Sequence, residues 1–179
     1  MADRQVFDTE QINIINTAVE MAEELVSNHY KMSANQWLRP KYDIRTLSDL
    51  SHDEIIAGPF AQIIRYKGQR EDSLLGSSTY DFYKICLQDH TILSVTDQSE
   101  SIELFPLLLY IITHELIHIV RFSRFLQNFD ASAEDKMKEE SRVHQLTHDI
   151  LHAVQYPDLS HVMAFYDRWR QPFDDLRNT

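Results

Sequence analysis

An α+β fold is what this chain of 179 residues predicts, and three observations predict it. The first stretch repeats apolar residues at helical steps, the middle holds short runs rich in β-branched and aromatic residues, and from Glu103 onward the helical period returns. Helix, then strands, then helices describes a small sheet packed against helices rather than alternating βαβ units.

Residues 9–30 form an amphipathic helix by pattern, with Ile12, Ile15, Ala18, Val19, Ala22 and Val26 on one side, Glu20, Glu23 and Glu24 elsewhere, and Asp8 or Thr9 as cap. Between Lys31 and Gly58 the pattern breaks around Pro40 and a Ser/Asp-rich stretch, which implies loops and one short helix. Strands are expected at 60–66, 80–87 and 91–96, the last two joined as a hairpin around Gln88-Asp89-His90, with 67–79 a mobile loop. A helix from Glu103 tolerates Pro106 in its first turn. A second starts near Ser132 or Ala133 and ends before Pro157, and a third covers Leu159 to Arg170, before Pro172.

Composition narrows the function classes. The chain is 43% hydrophobic and 11% aromatic with only three Gly, enough apolar content for one core and hence one domain over 1–179. Seventeen basic residues against 28 acidic ones leave a net charge of −11, which repels phosphate backbones and argues against nucleic acid as a partner. The single cysteine, Cys86, rules out an intramolecular disulfide or a Cys-rich zinc site and reads as a small buried strand residue. The amino terminus meets charged residues at once, and the apolar run 104–112 is short of a bilayer span before His114 and Glu115 follow. The expectation is a soluble cytoplasmic protein with no membrane partner.

The chemistry concentrates in Thr113-His114-Glu115-Leu116-Ile117-His118, an HExxH sequence within an apolar helix. Two histidines four residues apart project from one helical face, so their ring nitrogens can converge on one ion. Glu115 between them is near enough to act as general base on water. With nine His in the chain, chance alone would supply about 0.03 such matches. Charged and imidazole groups in so apolar a helix need partners, and a metal supplies one. The next helix offers Glu139, Glu140, His144, His148 and His152. Four-residue steps drift by about 40° each, so at most two members of the Glu140 stripe can reach one ion.

These two helices resemble those of the zincin metallopeptidases, specifically the gluzincin branch, in which a second helix carries a glutamate ligand after the HExxH helix. Glu140-Ser141-Arg142-Val143-His144 begins 22 residues beyond His118 and fits that pattern, with His144 where an acidic or amide side chain is usual. The resemblance implies His114, His118 and Glu140 as ligands of one zinc ion per chain, Glu115 as general base, and a peptide or protein substrate. It further implies a mixed sheet beside the active-site helix, with an edge strand along which an extended peptide can lie. In these terms 1–58 is an N-terminal helix with loops, 59–98 the sheet, 102–126 the HExxH helix, 133–154 the third-ligand helix and 159–170 a C-terminal helix.

His144 would support a ligand histidine from outside or bind the ion itself, and direct binding would close the open position that hydrolysis needs. Glu139 is the fallback third ligand if the helix is rotated by one residue. The metzincin branch does not fit, since 120–124 lacks the glycine and third histidine that branch has. A di-iron carboxylate bundle, which Glu115-x-x-His118 also suggests, needs a second such pair that Glu140 to His144 does not supply. Tyr156, His161, Tyr166, Tyr80 and His148 are candidates for an oxyanion donor. Trp37 and Trp169 read as core or interface anchors.

Overall fold

The computed structural model describes residues 4–33, 36, 42–69 and 79–167, with only the backbone at 68–69 and 79–80. Helix α1 (Thr9–Tyr30) starts as its sequence dictates: the Asp8 side chain accepts from the Gln11 amide, Gln11 reciprocates, and Ile15, Ala18, Ala22 and Val26 are buried. Strand β1 (Tyr42–Arg45) and two single 3₁₀ turns, Leu47–Asp49 and His52–Glu54, follow. Then come β2 (Ala61–Gln69), β3 (Thr79–Leu87), α2 (Asp89–Gln98), α3 (Leu104–Ser123), α4 (Ala133–His152) and α5 (Leu159–Phe165).

Three strands in the order β1-β3-β2 make a mixed sheet, with β1 parallel and β2 antiparallel to β3. Tyr83, Ile85 and Leu87 of β3 are buried on the face turned to α3, where Tyr83 stacks on Phe122 at 5.6 Å. Helix α3 is the centre of the core, buried almost all round from Pro106 to Arg121, with α1 and α4 packed along it. By length and composition α3 could cross a membrane, and 83% of its most apolar window is buried inside the protein.

Two expectations fail in the middle of the chain. Residues 91–96 are helical, within α2, and the hairpin around Gln88-Asp89-His90 does not form; β3 pairs instead with β2. Tertiary anchoring overrides β propensity here: Asp89 in the first turn accepts from the Phe7 and Leu47 amides, and the helix buries Ile92 and Leu93 together. Strand β1 lies in the stretch expected to be loops, where four residues are too few to show a period. The HExxH helix is shorter than 102–126 at both ends, and the last helix ends at Phe165 among the described residues. Residues 70–78, most of the expected loop, lie outside the described residues, as do Trp37 and Trp169.

Candidate metal centre

Helix α3 carries Tyr110, His114, His118 and Phe122 at four-residue steps, so their rings follow one another down one side, with centroids 6.5, 4.8 and 6.1 Å apart. Glu140 of α4 faces this column. Its Oε1 lies 2.7 Å from His114 Nε2 and its Oε2 lies 3.0 Å from His118 Nε2, while the two Nε2 atoms are 3.2 Å apart. The three expected ligands therefore converge as one group.

Donor chemistry and spacing both fit a divalent ion. Ligand atoms at zinc-bond length around a tetrahedral centre stand about 3.3 Å from one another, close to the separations seen among these three. Protons satisfy the group less well, because two imidazole N–H groups must crowd side by side onto one carboxylate. Burial pushes the His114 imidazole down to about 4. At His118 burial opposes the charge, but the hydrogen bond and negative charge of Glu140 outweigh it and push the group up to about 9. The Glu140 carboxyl is held well below its ordinary range, against its burial, by His114 first. Metal binding would displace the imidazole protons that face Glu140.

Partners beyond the triad orient it. His118 Nδ1–H donates to Gln127 Oε1 at 2.9 Å, which leaves Nε2 as the atom turned to the ion position. Gln127 is held there by a turn after α3: Phe125 takes φ 56°, and the Leu126 and Gln127 amides both donate to the Arg121 carbonyl. Sequence reasoning missed Gln127, since it sits in a loop with no period or motif to mark it. His114 Nδ1 is buried and has no hydrogen-bond partner among the described residues.

His144 Nε2 lies 3.3 Å from Glu140 Oε1, and its Nδ1 lies 2.9 Å from the Tyr110 hydroxyl. An ionised carboxylate only accepts, so Nε2–H donates to Glu140, while Nδ1 and the Tyr110 hydroxyl share a hydrogen bond. This arrangement makes His144 a support for the Glu140 ligand. Tyr110 was not anticipated; it is buried and stacked on Tyr166 at 4.1 Å with the rings 3° from parallel.

Glu139, the fallback ligand, points elsewhere. One residue is 100° of helix, and Glu139 accepts instead from Arg121 and, at 3.1 Å, from Arg142. His148 is half-buried and stacks on exposed His152 at 5.6 Å, further along α4. Of the oxyanion candidates, Tyr166 reaches the site; Tyr156 packs on Phe105, His161 is exposed beside Asp158, and the Tyr80 side chain lies outside the description.

A cavity of about 530 Å³ is lined on its polar side by His114 and Glu140 of the triad, with Glu115 and His144, while His118 lies behind them. Glu140 is half-buried and lines this cavity. Burial pushes the Glu115 carboxyl up to about 7, His118 opposing and Glu140 adding. The chain matches no protein-family model, no curated protein and no solved structure.

Proposed function

We propose that the protein is a zinc-dependent hydrolase, a small metallopeptidase of the zincin-like, gluzincin type that acts on a peptide or protein in the cytoplasm. The observation that carries this reading is the convergence of His114, His118 and Glu140 to within hydrogen-bond distance of one another, beside a cavity that Glu115 also lines. A mixed sheet with β2 at one edge, its first residue on the cavity wall, supports the accompanying fold reading.

His114, His118 and Glu140 would hold a divalent ion, which would supply Lewis-acid polarisation of the scissile carbonyl and a water of lowered pKa. The chain's own groups divide the remaining work. Glu115 takes the proton of the attacking water and returns it to the leaving amine. Gln127 fixes the His118 ring through Nδ1, and Tyr110 and His144 fix Glu140. Tyr166, which lines the cavity, is our candidate for a donor to a developing oxyanion.

The test is Glu115→Gln in the full chain: hydrolysis of a broad peptide set should fall by about 10²- to 10⁴-fold with zinc content unchanged, and activity close to that of the wild type would overturn the mechanism. One distance favours a second reading, a non-catalytic metal-binding or regulatory module: His144 Nε2 stands only 3.3 Å from Glu140 Oε1 and would complete the metal site if Glu140 shifted. Full zinc occupancy with no cleavage in the wild type selects that reading.

A further inference from the structure

Helices α3 and α4 run antiparallel and meet along a ladder of polar contacts: Tyr110 with His144, His114 and His118 with Glu140, and Arg121 with Glu139. The last rung lies outside the metal centre. Arg121 is 8% exposed, and its Nε–H donates to Glu139, itself 7% exposed. From this geometry we infer that Arg121 is a positioning residue for the ion, whose side chain fixes the roll of α4, and with it Glu140, against the two histidines. The inference rests on the metal-binding part of the reading above and not on hydrolysis.

Two contacts at different angles hold a helix where one lets it turn. Glu139 and Glu140 are consecutive and so point about 100° apart around α4, yet both reach α3, Glu139 at Arg121 and Glu140 at His114 and His118. Each contact blocks the roll that would release the other. A roll of about 20° carries an atom about 6 Å from the helix axis through about 2 Å, as far as a whole zinc–oxygen bond. Arg142 also donates to Glu139, at 3.1 Å, but it belongs to α4 itself and ties nothing to α3. Arg121 reaches the opposite side of the site as well. Its carbonyl accepts from the Leu126 and Gln127 amides at 2.9 and 3.3 Å, and Gln127 Oε1 accepts from His118 Nδ1–H. This residue stands in the last turn of α3, where helices fray. A side chain anchored on α4 keeps that carbonyl, and so the turn that carries Gln127, in place. Stability alone does not call for the ion pair, because a well-packed apolar pair of similar volume serves as well or better. What the ion pair adds is direction.

The experiment is Arg121→Met in the full chain. Glu139 keeps Arg142 as a partner, so no carboxylate is stranded and only the tie between the helices is cut. Cobalt(II), whose visible spectrum reports the geometry of its ligands, is one probe, and zinc affinity from competition with a chelator is the other. Arg121→Met should bind zinc about 10- to 100-fold more weakly than the wild type and show a cobalt spectrum changed in shape and intensity. Arg121→Lys, which returns a cation to Glu139, should recover most of the affinity and the wild-type spectrum. Glu54→Gln, which breaks a buried ion pair away from the site, is the structural reference: its melting temperature should fall with the cobalt spectrum unchanged. If Arg121→Met does not fold, Arg121→Met combined with Glu139→Leu takes its place, since an apolar pair is tolerated where a broken ion pair is not, and the same loss of affinity is expected. Wild-type zinc affinity and cobalt spectrum in the Met variants, whatever their melting temperatures, overturn the proposal. A wild-type chain that takes up neither cobalt nor zinc overturns the metal-binding reading and this inference together. Wild-type affinity for zinc without peptide cleavage contradicts the hydrolase reading and leaves the role of Arg121 standing.

Discussion

Two carboxylates, Glu54 and Glu140, lie on opposite sides of the sheet and are treated differently by the fold. Glu54 is 4% exposed and saturated by groups of the chain: Lys84 Nζ donates at 2.7 Å, the Tyr66 hydroxyl at 2.6 Å and the Ser51 amide at 2.9 Å. Lys84 foremost, then Tyr66 and Ser51, hold its carboxyl down at about 2. Glu140 instead faces imidazoles, whose protons an ion can replace, and keeps an open side on the cavity. The difference teaches that a buried charge alone does not mark a site. Glu54 is the structural case, an ion pair that ties the segment before β2 to the sheet.

The contrast breaks most visibly at Glu115. Glu115→Gln should lower hydrolysis by about 10²- to 10⁴-fold while zinc content, read by elemental analysis, stays as in the wild type. Glu140→Ala should weaken zinc binding by more than about 100-fold in a chelator competition, beyond what losing an outer partner causes. Retention of the ion would send the search for a third ligand to His144, since Glu139 is engaged with Arg121 and Arg142. Gln127→Leu frees the His118 ring and should cost about tenfold in zinc affinity, with the melting temperature of the metal-free protein little changed. A result with no effect on affinity would show that the turn after α3 does not position His118.

Glu54→Gln should do the reverse, leaving zinc affinity untouched and lowering stability by about 1–2 kcal/mol. It also carries the pH dependence. The Glu54 carboxyl lies at about 2 in the folded state against an ordinary 4.5. Its contribution is therefore complete above about pH 4.5 and is lost as pH falls towards 2. Denaturation midpoints across that window should fall less steeply in Glu54→Gln than in the wild type; identical slopes would contradict the assignment.

What the sequence made legible follows from period and reach. The column His114–His118 and the carboxylate of Glu140 were readable because each lies on a long helix, where a four-residue step translates directly into a direction. The Asp8 cap and the buried side of α1 were readable for the same reason. The stretch 91–96 was not, because its β-branched residues carry a local preference that the anchoring of Asp89 to Phe7 and Leu47 reverses, and those contacts span 82 and 42 residues. Gln127 and Tyr110 were missed for different reasons. Gln127 acts from an irregular turn, and Tyr110 looks like core until the position of His144 on another helix is known.

Zinc-edge anomalous diffraction from crystals grown with zinc tests the central claim most directly. A single strong peak per chain, within bonding distance of His114 Nε2, His118 Nε2 and a Glu140 oxygen, is the predicted result. A peak held by other side chains, or none at these three, would contradict it.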